Sequence, residues 1–289
     1  MTAIHVDVLG IGGWAVGLES WPVMRAALRG DAARDIEYAA HDTPHASRPS
    51  PVLLPAAERR RAPEGVAVAL EVAREAVDMT RTMHVIDAVS LASVFASAHG
   101  DLTIVDYLCA TLATDPTSLS PTRFHHSVHN AAAGYWSIAI HGTGPASAIA
   151  AGDESFAAGL LEAATQACAE DRLVLLVAFD TPAVGPLPMA APNTALFGIA
   201  MVIAPSTHGM TPALARLAIA RRAGATTPPL PRASTLHSLA ASSPSARALA
   251  LAEVIACGRN GTVAYPLSGT GSSLSVASVG TMRVRARIA

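Results

Sequence analysis

Three histidines, His125, His126 and His129, form an H-H-x-x-H run. A helix would put His125 and His129 on one face, as in the zinc-binding H-E-x-x-H motif, but the glutamate of that motif is missing. Ser120, Pro121 and Thr122 open the segment as a loop, so a structural or interfacial role is expected and no metal. Asp153 and Glu154 are adjacent carboxylates that could act as a general acid/base pair. Adjacent side chains at a helix start diverge, however, and the helix dipole favours carboxylates there without any catalysis. Asp153 therefore reads as the N-cap of a helix over 155–169. Ser155 lacks the G-x-S-x-G elbow of a hydrolytic nucleophile. Gly10, Gly12 and Gly13 follow a first strand with G-x-G-G spacing. The third glycine of a dinucleotide loop is absent and Trp14 intrudes, so the spacing predicts a tight turn with close backbone packing, and no cofactor.

These residues need a scaffold, and the apolar pattern supplies one. Runs over 6–9, 89–96, 146–151, 173–179 and 195–203 read as strands. Patterns of helical period fall at 21–28, 64–79, 102–112, 131–140 and 155–169 between them. This alternation argues an α/β layered architecture. The proline-studded stretch 40–57 reads as a surface excursion and 224–235 as a loose connection. Beyond it, a helix over 245–256 and strands in TVAYPL, SLSVASV and MRVRARI complete the chain.

At 289 residues the chain can bury a sizeable core. Half of it (51%) is apolar and only 15% is charged, which predicts a broad buried face or a large partner interface. A net charge of −2 with no basic stripe excludes nucleic acid as the expected ligand. Cys109, Cys168 and Cys257 have no regular spacing and suggest neither a disulfide framework nor a zinc site, which fits a reducing cytoplasm. No signal peptide is read at the N-terminus, and the longest apolar runs are far too short to span a membrane.

Residues 120–164 resemble the central block of a β-ketoacyl synthase. Asn130, Ala133 and Gly134 match the Asn-x-x-Ala-Gly pattern that opens a helix in that family, and Gly144 and Pro145 match the turn after it. Counting forward, the family's nucleophilic cysteine falls on Asp153. A cysteine there would be activated by the helix dipole to form an acyl thioester, which an aspartate cannot hold. The three cysteines of this chain lie away from the turn. IHVDVLGIGGWAVGLESWPVMRAALRG, LLPAAERRRAPEGVAVALEVAREAV, DAVSLASVFASAHGDLTIVDYLCATL, RLVLLVAFDTP and NTALFGIAMVIAP extend the resemblance over about 4–205. SPTRFHHSVHNAAAGYWSIA and DESFAAGLLEA are similar to the short β-ketoacyl synthase-like, or chain-length-factor-like, subfamily of bacterial aryl polyene and xanthomonadin-type pigment clusters.

The resemblance implies a thiolase-like layered fold whose first half, 1–205, is well matched. Residues 206–289 would be a short, degenerate second half. Neither histidine motif that stabilises the enolate in malonyl decarboxylation is found there. The implied role is a non-catalytic chain-length factor, in a heterodimer with an active β-ketoacyl synthase that closes an acyl tunnel. Ile104, Val105, Leu108 and Phe124 are carried over as tunnel-wall positions, and His129 and Asn130 as tunnel or interface positions. An acyl carrier protein is a second candidate partner, which Arg59, Arg60 and Arg61 would meet if they are more than a solvated face. Two alternatives stay open: an acyl-thioester hydrolase or decarboxylase using Asp153 or Glu154, and a purely structural homodimer.

Overall fold

A computed structural model describes residues 3–31, 48–267 and 271–278. Its first strand, β1 (Ile4–Ala15), is three times the expected length, because the glycines continue the strand instead of turning it. Helix α1 (Trp21–Arg29) and a short α2 (Ala56–Arg61) follow, then α3 (Glu64–Arg81), which explains the glycines. A Cβ at Gly10 would lie 2.2 Å from the carbonyl oxygen of Ala76, and one at Gly12 would lie 2.1 Å from that of Val72. The strand thus lies flush on the helix backbone; the close packing is real and the tight turn is not. Glu75 of α3 holds the junction, its carboxylate accepting from the amides of Gly13 at 2.9 Å and Trp21 at 2.8 Å.

The chain continues through β2 (Ala92–Ala96), α4 (Leu102–Thr114), α5 (Pro121–His126), α6 (Ala131–Ala139), β3 (Ala146–Ile149) and α7 (Ser155–Glu170). Next come β4 (Val174–Asp180), β5 (Phe197–Pro205), β6 (Ala215–Ala223), α8 (His237–Ser242), α9 (Leu249–Ala256), β7 (Gly261–Leu267) and β8 (Ser272–Ser278). All eight strands join one sheet in the order β3-β2-β4-β5-β1-β6-β8-β7. Only β3, β2 and β4 run parallel, and every residue of β2 and β4 is buried, as expected of parallel strands covered on both faces. Helices α3 and α6 pack on one face, while α1, α7 and α9 pack on the other.

Helix α7 touches both β2 and β7, which stand six places apart in the sheet. Six strand spacings of about 4.8 Å would separate them by roughly 29 Å if the sheet were flat. The sheet therefore curls around α7, and Phe156 at the helix start meets the edge of the Tyr265 ring on β7 at 5.4 Å.

The described residues after 205 belong to this core. β6 pairs with β1 through Ala215–Ile219 and carries β8 and β7 behind it. Sequence reading missed β6 and drew the helix over 245–256 as one piece; a 3-10 turn, Ser245–Ala248, precedes α9. The expected strand at 282–288 and residues 40–47 of the expected excursion lie outside the described residues. Gly12→Ala is expected to lower stability by about 1–3 kcal/mol or more, since backbone rather than a flexible side chain occupies the space. Gly134→Ala, in a helix with nothing within 4 Å of the added methyl, is expected to raise it by roughly 0.5–1 kcal/mol. Urea denaturation of the isolated variants checks both signs, and an unaffected Gly12→Ala would mean that the α3–β1 contact is looser than described.

Candidate functional site

The three parallel strands end at one edge, and the loops leaving them gather the polar residues, as the carboxyl ends of parallel strands generally do. After β3, Gly152 adopts φ +54° and residues Gly152–Glu154 form a 3-10 turn before α7 begins. Ser155 is fully buried, and its hydroxyl is committed to this turn. It accepts from the amide of Ala151 at 3.0 Å and donates to the carbonyl of Gly152 at 2.7 Å. Asp153 does not cap α7, which corrects the expectation. The N-cap residue is Glu154, without a side-chain cap bond, and the Asp153 side chain is 65% exposed. Arg247 holds Asp153 instead: Nη2 donates to its Oδ2 and Nη1 to its main-chain oxygen, both at 2.7 Å. The capping argument failed because the chain enters α7 through a 3-10 turn, while the turn before α9 brings a guanidinium across.

Beneath this edge lies Asp180, the last residue of β4 and fully buried. Its Oδ1 accepts from the amide of Ala98 at 3.0 Å and the Ser97 hydroxyl at 3.2 Å, and its Oδ2 accepts from the amide of Ser245 at 2.7 Å. One carboxylate thus ties the ends of β2 and β4 to the turn that carries Arg247. Burial pushes the Asp180 carboxyl above its ordinary value, against the opposing pull of these donors. Next to it, the Thr181 hydroxyl accepts from the amide of Leu102 at 2.8 Å, and Asp101 accepts from the amides of Ile104 and Gly65, fixing the start of α4.

The three histidines part company. Contrary to the loop expected at 120–122, Ser120 caps α5, accepting from the amide of Arg123. His126 is buried, with Nε2 2.9 Å from the Tyr135 hydroxyl. His129 donates from Nε2 to the carbonyl oxygen of Ser97 at 2.9 Å, because a carbonyl can only accept. His125 is exposed. Burial pushes the His126 imidazole below its ordinary value, and His125 adds to that shift. Among the described residues no group of three His, Cys, Asp or Glu side chains could hold a metal.

Of the carried-over positions, Ile104 is buried and Val105 and Leu108 are half-buried on α4, which packs on α5. Phe124 on α5 is 58% exposed. Asn130 precedes α6 and is exposed. His129 is thus the one carried-over residue whose side chain hydrogen-bonds into the strand-end cluster, while Ile104 joins it through its main-chain amide. Asp180 and Arg247 were missed. Asp180 had a signal, an acid closing the otherwise apolar strand VLLVAFD; Arg247 had none, since its partner is distant in sequence.

The curled sheet clad in helices on both faces, with a 3-10 turn between β3 and α7, defines a thiolase-like fold. The chain belongs to the β-ketoacyl synthase family, whose N-terminal domain model matches residues 36–253. A chain of the ketosynthase ApeO in complex with its chain length factor ApeC, from Xenorhabdus doucetiae, superposes with a TM-score of 0.66 at 23% identity, over 94% of this chain and 98% of that one. The ishigamide ketosynthase/chain length factor gives 0.70 at 14% identity, over 96% and 99%. A β-ketoacyl synthase from Burkholderia phymatum STM815 gives 0.57 at 14% identity, over 89% and 79%. At these identities the likeness establishes the fold. No curated protein matches the chain.

Two outcomes test this geometry. The raised Asp180 carboxyl holds its proton more tightly in the folded chain than in the unfolded one. The wild type should therefore lose stability relative to Asp180→Asn as pH rises from about 4 through the raised value. Denaturation midpoints of both proteins across that range give the slope of the difference, and a pH-independent difference contradicts the assignment. At the turn, Asp153→Asn and Asp153→Ala should each cost less than about 1 kcal/mol, because the Asp153 side chain is 65% exposed. Arg247→Ala, which also loses the bond to the main-chain oxygen, should cost more. Melting curves in which Arg247→Ala costs no more than Asp153→Ala would mean that the guanidinium is not what holds the turn.

Proposed function

We propose that this chain is a non-catalytic ketosynthase homologue that pairs with an active β-ketoacyl synthase as its chain-length factor, in a polyketide, polyene or fatty-acid-like pathway. The observation that carries this reading is the turn between β3 and α7. The chain enters α7 through a 3-10 turn, the position that the resemblance aligns with the family's cysteine is Asp153, and a guanidinium clamps it. An acyl group has no sulfur to rest on there. Cys168, on the far half of α7, bonds to the carbonyl of His5, and burial pushes its thiol up, away from a reactive thiolate. The clamp also weighs against Asp153 as a hydrolytic base, since Oδ2 already accepts from Arg247. On this reading the described residues after 205 serve to finish the sheet, with β6, β8 and β7, and to cover it with α8 and α9.

The partner reading draws support from one side of the molecule. α4 is apolar through most of its length but buries only Leu102 and Ile104. It packs on α5, α5 bonds to α6 through His126 and Tyr135, and α6 packs on β3. Across these elements Leu112, Phe124, Val128 and Ile138 are exposed, Ile138 by 74%. A chain that leaves so much apolar surface on consecutive helices is suited to a subunit that covers it. The relatives named above include ketosynthases described with their chain length factors, and that coupling is what we carry to this chain. Ile104, Val105, Leu108 and Phe124 would then face the acyl tunnel or the partner. An acyl carrier protein would visit the pair.

β3 is the edge of the sheet on this side. The bonds from Ser93 N to Pro145 O and from Ser97 N to Ile149 O direct the odd-numbered peptide groups of this stretch toward β2. The amides of Ala146 and Ala148 point outward. Proline at 148 removes an outward donor and none of the internal ladder. Ala148→Pro should therefore leave the circular dichroism unchanged and abolish co-elution with an active synthase encoded in the same gene cluster. A complex that survives the substitution in a folded chain removes β3 from the interface. In parallel, a labelled-acyl transfer assay should leave the isolated chain unlabelled; label on Cys109, Cys168 or Cys257 followed by condensation would overturn the non-catalytic reading.

A further inference from the structure

The acidic and basic residues of this chain are sorted along its length. Residues 206–289 hold nine arginines and a single acid, Glu253, whereas the other 205 residues carry the remaining acids. Glu253 stands in the wall of a cleft of about 360 Å³ formed by the connection 226–232, the end of α9 and the start of β7. The cleft shares no residue with the Asp153 turn.

Glu253 is 5% exposed, and its charge is answered from two sides. Oε2 accepts from the main-chain amide of Arg232 at 2.7 Å, and Oε1 faces Nη2 of Arg259 at 3.4 Å. A buried carboxylate so engaged acts as a bracket for the wall and leaves no net negative charge for a ligand to meet. The guanidinium of Arg232 has no carboxylate partner among the described residues. Thr226, Thr227 and Thr262 line the same cleft, the Thr226 hydroxyl lying 3.5 Å from the carbonyl of Thr227. Leu230, Val254 and Val263 supply an apolar wall. The volume falls within the range of small-molecule sites, which combine an apolar lining with a few convergent polar groups.

We infer that this cleft binds a small organic phosphate, its oxyanion on Arg232, Arg259 and the threonine hydroxyls and a short apolar stem on the Leu230 and Val263 side. Guanidinium forks match phosphate and carboxylate alike. The number of donors favours phosphate, whose three terminal oxygens accept more bonds than the two of a carboxylate.

Isothermal titration of the full chain with n-butyl phosphate, inorganic phosphate and butyrate tests the assignment. n-Butyl phosphate should bind saturably at one site, and more tightly than either control. Arg232→Gln, which disturbs no ion pair, should weaken it tenfold or more. Arg259→Gln should do the same, with its fold checked by circular dichroism. Arg222→Gln, an exposed cation outside the cleft, should change affinity by less than twofold. The inference is overturned by an absence of saturable heat, by butyrate binding as tightly as n-butyl phosphate, by an Arg232→Gln variant that binds like the wild type, or by an equal loss in Arg222→Gln, which would mean general charge attraction.

Discussion

The structure depends on enclosing the first half of α7. None of the ten residues from Ser155 to Ala164 is exposed, and Gly159 lets the helix approach β2 so closely that a Cβ there would lie 2.7 Å from that of Ala96. A helix without a wet side must be covered all round by other elements. Here the sheet provides that cover by curling, with β2 and β4 on one side and β7 on the other. The late strands are needed for this reason. Without β6, β8 and β7, the Phe156 end of α7 would lose the Tyr265 ring that covers it.

Buried and half-buried carboxylates then fix the segments that the enclosure brings together. Glu75 joins β1 and α1 to α3, Asp7 is met by the guanidinium of Arg216 at 2.7 Å and 3.1 Å, and Asp180 gathers three segments at the strand ends. Each faces backbone amides or a guanidinium, which lets a charge-bearing group stay inside at tolerable cost. The arrangement gives the site edge a rigid floor while its outer elements, α4 to α6 and β3, stay apolar and uncovered. A floor of this kind suits a surface that must dock without rearranging.

Most of the scaffold was legible in the sequence. The runs at 173–179 and 195–203 are too apolar and β-branched to be anything but buried strands, and 64–79 carries a helical stripe that the structure reproduces and extends to Arg81. The Asn-x-x-Ala-Gly segment and the Gly144-Pro145 pair drew attention to the turn that the structure places between β3 and α7, where Asp153 stands. β6 was hidden because ARLAIARRA ends in exposed arginines that dilute its alternation. The start of α5 was hidden because proline at its first position looks like a breaker in sequence, although it suits a helix N-terminus.

Local pattern therefore determined which segments are strands and helices, since burial on one or both faces sets the spacing of apolar residues within a few positions. It also determined that no cysteine stands at the turn before α7. Tertiary structure alone decided how Asp153 is used, that the glycines of β1 seat a helix and do not form a turn, and that Asp180 and Arg247 belong to the site. Arg247 and Asp153 lie 94 residues apart, and Asp180 and Ser245 lie 65 apart. Their meeting depends on how far the sheet curls and on which strand of the second part pairs with β1. Such long-range contacts leave no periodic trace in the chain, because each partner satisfies its own local pattern equally well with or without the other.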